Sequence, residues 1–301
     1  MTQGPAQGPL IVDRVLLRMR AQRARMLGPS TFLLDRVAQD MAERLASVLR
    51  SFPLGLDLGT QTDALRRVLA ESRKVGTVVA ANPLTDGHRG LTVAADEEAL
   101  PFGDASLDLV VSAMALHFVN DLPGTLIQVR RALRPDGLFA AALLGGETLT
   151  ELRQAFAAAE AEIEAGISPR VLPFADLREL GALLQRAGFA LPVTDVDRVV
   201  VRYASPLALM HDLRRMGAAN PMLERRRAPL KRATLARMLE IYGARFADPD
   251  GRIRATFEIV HLSGWAPHQS QQQPLAPGSA RARLADALGT QERPAGEKAG
   301  R

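Results

Sequence analysis

The stretch LGLDLGTQTDAL, residues 54–65, decides how the rest of the chain is read. Leu54, Leu56 and Leu58 are spaced two apart, the period of a strand with one buried face. Asp57 and Gly59 stand at the carboxyl end of that strand, and a helical pattern begins within a few residues. The segment is therefore a strand–turn–helix unit. Apolar runs at 75–81 (VGTVVAA), 91–95 (LTVAA), 107–115 (LDLVVSAMA) and 137–144 (GLFAAALL) repeat the theme. Helical patterns fall between them, which predicts an α/β fold with a mainly parallel sheet covered on both faces.

Local signals place several boundaries. Asp121 is an N-cap for the helix DLPGTLIQVRRAL, which RPDG then stops through Pro135 and Gly137. A long helix runs through GETLTELRQAFAAAEAEIEAG, with Glu147 favouring the helix dipole at its start. Beyond it the rhythm changes to helix 176–188, strand 190–205, helix 206–220, a basic helical stretch to about 245, and strand 254–266. The two late strands complete the sheet as a hairpin-like pair. The expected organisation is a disordered start (1–10), amino-terminal helices (11–50), one domain (51–266) with a helical insertion over its carboxyl edge at about 206–250, and a flexible tail (267–301).

Composition narrows the chemistry. A chain of 301 residues that is 47% hydrophobic can bury a substantial core. It has no cysteine, which removes disulfides, thiolate metal ligands, iron–sulfur clusters and thiol nucleophiles. The formal charge of +5 is almost wholly arginine, since lysine occurs only at Lys74, Lys231 and Lys298. Basic runs at 14–25 and 225–232 lack interleaved aromatics, so nucleic acid is disfavoured and an acidic protein partner fits better. No apolar run reaches the roughly 18 to 20 residues of a membrane span, and no signal-peptide core is present. A cytoplasmic protein is expected, with room for peripheral association at a membrane.

Other chemistries find no motif. His88, His117, His211, His261 and His268 form no HxH or HxxxH pair, so no metal is expected. Neither G-x-S-x-G nor G-x-G-x-x-G follows a strand. In an open α/β sheet, ligands bind beyond the carboxyl ends of the strands near the point where strand order reverses. That rule selects Asp57 and Gly59, Asn82, Asp96, Ser112 to His117, and Gly145 to Glu147.

The blocks LDLG, AADEEALPF, LDLVVSAMALHFVNDLP, LRPDGLFAAALLGGETLTELR and GWAPHQSQQQP, in this order, resemble the class I S-adenosylmethionine-dependent methyltransferases. More narrowly they are similar to a branch that holds the malonyl-carrier-protein methyltransferase of biotin synthesis and the arginine-hydroxylase-like complex I assembly factor of mitochondria. NDLP, GGETL, SPRVLPF (168–174) and LLQRAGF (183–189) favour the assembly-factor side. The resemblance spans about residues 11–280. It implies a Rossmann-like, seven-stranded sheet with its last strand antiparallel, S-adenosylmethionine as cofactor, and cofactor contacts from Asp57, Gly59, Asn82, Asp96, Glu97 and Ser112. It places His117 near the transferred group as the candidate catalytic residue, beside the plainer reading of a structural histidine. It also implies a respiratory complex I subunit as partner and, in a eukaryote, the mitochondrial matrix as location.

Two departures from the pattern stand out. The family loop reads LDLG-x-G-x-G, but here the later glycine positions hold Gln61 and Asp63. If those residues must turn left-handed, each costs roughly 1 to 2 kcal/mol, and the Asp63 carboxylate would face the cofactor's own. Asn82 stands where an acidic residue usually grips the ribose, and a neutral hydrogen bond is the weaker one. Two functions therefore follow: an enzyme that modifies a protein side chain during complex I assembly, or a degenerate, non-catalytic methyltransferase fold that serves as a binding module.

Overall fold

The computed structural model describes residues 10–85, 90–164, 166–272 and 284–291. The expectations for the first nine residues, for most of the tail and for His88 lie outside the described residues. The described residues up to Pro267 form one compact unit, and those from His268 onward form a second, in which a short helix spans Leu284–Leu288.

The first unit opens with helices α1 (Arg14–Met26) and α2 (Phe32–Ala46). Strand β1 (Phe52–Leu58), helix α3 (Ala64–Ser72) and strand β2 (Val75–Asn82) follow. Next come β3 (Thr92–Ala94), β4 (Leu107–Ala113), a short 3-10 turn at Leu116–Phe118, α4 (Leu122–Ala132) and β5 (Leu133–Leu144). Helices α5 (Thr150–Glu164) and α6 (Leu177–Arg186) precede β6 (Ala190–Tyr203), then α7 (Pro206–Arg215), α8 (Arg232–Phe246) and β7 (Ile253–Trp265).

The seven strands run in the order β3-β2-β1-β4-β5-β7-β6. All neighbours are parallel except β7, which is antiparallel to both β5 and β6. Strand β1 pairs with β2 on one side and β4 on the other, so the order reverses there, and the loop after Leu58 opens at that switch point. Two apolar cores cover the sheet. One gathers Leu33, Phe52, Leu65, Leu109 and Tyr242. The other gathers Leu56, Leu58, Leu126 and Leu184, with Phe139 stacked on Phe189 at 5.4 Å. The alternation of Leu54, Leu56 and Leu58 thus feeds one face, while Asp57 faces α3 through Arg66.

Three boundaries differ from expectation, each for a local reason. RPDG is no free turn: β5 begins at Leu133, and a register shift between Leu107 and Leu109 accommodates Pro135 and Gly137 as a bulge. Asp136 there is left-handed, at φ 63°. Helix α7 ends at Arg215 because Gly217 takes φ +70°, the usual helix stop. The stretch to Arg232 is irregular and contains Pro221 and Pro229, which interrupt helices. Among the described residues, no helix is long and apolar enough to cross a membrane.

Candidate functional site

The loop leaving β1 is sewn to its neighbours by side chains. Gly59 takes φ +75°, and a Cβ there would fall 2.8 Å from Glu97 Oε1 and 2.9 Å from Ala115 Cβ. Only glycine fits such a close approach. Thr60 Oγ1 accepts from the Ala113 amide at 3.1 Å, and Ser112 Oγ donates to Leu58 O at 2.7 Å. Asn82 Nδ2 donates to Thr60 O at 3.2 Å, while its Oδ1 accepts from the Leu84 amide at 2.9 Å. Ser112 and Asn82 therefore spend their polar groups fastening β4 and β2 to the β1 loop.

The strain expected at Gln61 and Asp63 is absent. Gly59 is the single left-handed residue between Leu58 and α3. Asp63 sits at φ −85° as the residue before α3, with its carboxylate 3.8 Å from Arg67. It belongs to the helix start rather than to a left-handed turn, so the backbone penalty does not arise. Asp57 is buried, with both carboxylate oxygens lacking a hydrogen bond among the described residues. Arg66 Nε stands 3.7 Å away. Burial outweighs the nearby Thr60 hydroxyl and the Arg66 charge and pushes the Asp57 carboxyl up to about 7.

Asp96 and Glu97 follow β3, and α1 holds both. Arg14 Nη2 donates to Asp96 Oδ1 at 2.7 Å and also bonds Glu97, while Arg18 bonds the other Asp96 oxygen. Burial works against the Arg14 guanidinium, yet Glu97 and Asp96 together hold its pKa above the usual arginine value. Arg14, Leu17, Arg18, Ala21 and Arg25 fall on one face of α1. That face closes a crevice of about 50 Å³ whose far wall is Gly59, Asn82, Glu97 and Ala115. Asp13 anchors the helix by accepting from the Leu16 amide at 2.9 Å.

A larger cavity, about 340 Å³, adjoins the crevice, and Gln61 and Phe118 line both. His117 projects from the 3-10 turn after β4 into this cavity, its ring 4.1 Å from that of Phe118 and 5.6 Å from that of Phe174. Its Nδ1 accepts from the Leu144 amide at 3.5 Å, which leaves the proton on Nε2. Burial lowers its pKa to about 3, so it is a neutral donor at pH 7. Among the described residues no carboxylate lines the cavity, whereas Arg20, Arg170, Arg214 and Arg215 do. Arg20 donates to Ala219 O at 2.8 Å, Arg170 pairs with Glu160, and Arg215 donates to Gly28 O at 2.7 Å. The Arg214 side chain makes no hydrogen bond or ion pair among the described residues.

The fold thus brings Gly59, Asn82, Glu97 and His117 to two connected chambers. It leaves Ser112 and Asp57 beneath the loop, and Glu147 exposed in the turn before α5. Sequence reasoning missed the α1 arginines, although Arg14 and Arg18 are four apart on an amphipathic helix. It missed Arg214 as well, for which only the one-face spacing of Met210, Leu213 and Arg214 on α7 was available. The run at 225–227 is not the open basic patch expected. Arg225 pairs with Asp13, and Arg226 pairs with Glu164, which also binds Lys231 and Thr234 Oγ1. These bonds tie the 216–231 segment to α1 and α5.

A Rossmann-like sheet of this strand order, with a glycine turn and an acidic pair at its switch point, defines a class I methyltransferase domain. A family model described as "Methyltransferase domain" matches residues 56–141. The chain is 38% identical to zebrafish (Danio rerio) "Arginine-hydroxylase NDUFAF5, mitochondrial", over 93% of this chain and 90% of that protein. It is 33% identical to the "Malonyl-[acyl-carrier protein] O-methyltransferase" of Gallionella capsiferriformans, over 85% of this chain and 92% of that one. A crystal structure of a Bacillus halodurans protein aligns with a TM-score of 0.52 at 16% identity, covering 75% of this chain and 97% of that one, a likeness of fold alone. The chain belongs to the methyltransferase-domain family that includes the NDUFAF5 arginine-hydroxylases, and it is similar to them over nearly its whole length.

Proposed function

We propose that the chain binds S-adenosylmethionine beside Gly59 and transfers a group to an acceptor held in the 340 Å³ cavity. The observation that carries this reading is the shared wall: Gln61 and Phe118 face both chambers, so a donor in one lies next to an acceptor in the other. The residues fit such a cofactor. Gly59 leaves room where a Cβ would intrude, and Asp96 and Glu97 supply oxygen acceptors for nucleoside hydroxyl and amino groups. Asn82 and Ser112 hold the loop that carries Gly59, and Asp57 lies buried beneath it. When bound, the cofactor supplies an electrophilic methyl group on a sulfonium, and the chain's task is alignment and exclusion of water. His117 Nε2–H is placed to orient an acceptor oxygen. Arg214 and the missing carboxylates favour an acceptor that presents oxygen, such as an acid or amide, over a cationic one.

The relatives' printed names, arginine-hydroxylase and mitochondrial, support a protein side chain as acceptor and, in a eukaryotic cell, a mitochondrial location. The sequence resemblance adds a partner role in respiratory complex I assembly. The second reading, a non-catalytic module, draws on Asn82 and on a crevice that α1 keeps small. Titration of the folded chain with S-adenosylmethionine and its demethylated product decides between them. A ligand at one hundred times its dissociation constant stabilises by about 2.7 kcal/mol, readable as a higher melting temperature. Glu97→Gln should lower that affinity. No shift from either nucleoside at millimolar concentration overturns the enzymatic reading.

A further inference from the structure

A second chamber, about 270 Å³, lies under α2 and α3 and shares no lining residue with the crevice or the catalytic cavity. Its floor is one face of the sheet. His261, Ser263 and Trp265 lie at alternate positions of β7 and so point the same way. Opposite them on β5 stand Ala142, Ala140 and Leu138, and on β6 Asp195 and Val193 face His261 and Ser263. The short side chain of Ala140 leaves the space open, and Met41, Leu45 and Leu65 close it from above.

The walls are apolar, yet β7 offers three hydrogen-bonding side chains there that are not used. His261 is 5% exposed, and its enclosed Nε2 has no partner among the described residues. Ser263 and Trp265 are half-buried, and their Oγ and Nε1 make no hydrogen bond among the described residues. A buried polar group left unpaired is rare because it is costly, so His261 Nε2 calls for a molecule that completes it, with Ser263 and Trp265 beside it on the same face. The charges at the rim are already matched: Arg44 of α2 meets Asp195 of β6 at 2.5 Å, and Arg36 meets Asp197 at 3.0 Å. Burial lowers the His261 pKa, against Asp40, Asp195 and Asp197, and with Arg44 pushing the same way. The imidazole is therefore neutral at pH 7.

We infer that this chamber is a ligand site for an uncharged amphiphile with an apolar body and one hydroxyl or carbonyl head. An indole N–H, a serine hydroxyl and a neutral imidazole together supply donors for an oxygen's lone pairs. A charged head is excluded because it would be buried without a free counter-ion.

Trp265 is the sole tryptophan of the chain, so its fluorescence reports on this chamber alone. The full chain is titrated with n-octanol, which does not absorb where indole does. A saturable change in Trp265 emission and a rise in melting temperature are expected, with octanoate at least tenfold weaker. Ala140→Leu, which fills the space, should abolish both signals, and His261→Phe should weaken n-octanol about tenfold. Binding of S-adenosylmethionine, measured in parallel, should be the same in each variant. Should Ala140→Leu fail to fold by circular dichroism, Ser263→Ala and His261→Phe carry the comparison. The inference is overturned if the emission change does not saturate, if octanoate matches n-octanol, if the variants respond like the parent chain, or if a crystal grown with n-octanol shows only water at His261.

Discussion

Replacing Arg14 and Arg18 by alanine should loosen α1 and tighten cofactor binding. Arg14 and Glu97 expose only 14% and 9% of their side chains, so their pair is largely desolvated and counts for more than a surface bridge. A charged hydrogen bond of this kind contributes about 1.5 to 3 kcal/mol. Arg18 is 40% exposed and adds about 0.5 kcal/mol after solvent screening. Loss of both removes at least about 2 kcal/mol from the closed position of α1. If the crevice accepts a nucleoside only when α1 is displaced, apparent affinity scales with the open fraction, and about 2 kcal/mol corresponds to about 30-fold. Calorimetric titration with S-adenosylmethionine reads that change directly. Hydrogen exchange reads it without the cofactor: amides of residues 17–26 should lose protection while those of β4 and β5 do not. Unchanged protection of α1, or an affinity that falls, refutes the reasoning, the latter because α1 would then be part of the cofactor's own binding surface.

Three further outcomes follow from single residues. The Asp57 carboxyl, raised to about 7, keeps its proton in the folded chain while the unfolded chain loses it near 3.8. Stability therefore falls as pH rises between those values, by up to about 4 kcal/mol. Asp57→Asn should raise the melting temperature at pH 8 and leave it nearly unchanged at pH 4. His117 has the opposite sign. The unfolded chain takes up a proton near 6.5 and the folded one near 3, so stability falls as pH drops through that window, by about 2 kcal/mol at pH 5. In His117→Phe the acid side of a melting-temperature profile should flatten. Gly59→Ala combines left-handed strain with the contacts to Glu97 and Ala115, and urea unfolding should show a loss of about 2 to 4 kcal/mol.

The sheet was legible because its signals are local. Leu54, Leu56 and Leu58 announce one strand by period, and Asp121 and Gly124 show in the structure the cap that the sequence predicts, at 2.8 Å. The late strands at 190–205 and 254–266 were placed within a few residues for the same reason. The strain assigned to Gln61 and Asp63 in place of glycine does not arise, because Gly59 alone turns left-handed there. The chain instead starts α3 one residue after Asp63, so the position that would need a left-handed residue does not exist. The contacts of Arg14 with Asp96 and Glu97 span more than eighty residues, and no period or cap encodes a meeting of that kind. The same holds for Glu151, buried and bonded to the Thr256 amide and hydroxyl at 3.0 and 2.5 Å.

Charge is divided across the wall formed by Gln61 and Phe118. Glu97 lines the crevice, with Asp96 behind the same two arginines, and Arg20, Arg170, Arg214 and Arg215 line the cavity. A cationic sulfonium donor is drawn to the first side and an oxygen acceptor to the second, so on the proposed reading the field alone presents the two reactants from opposite directions. While α1 is seated, Arg14 and Arg18 cancel the acidic side, and the crevice attracts no cation. Release of α1 therefore does two things at once, since it opens space beside Gly59 and restores the negative field that a sulfonium nucleoside would seek. The arginine-to-alanine variant supplies both permanently, and the salt dependence of cofactor affinity, steeper in the variant than in the parent chain, separates the field from the space.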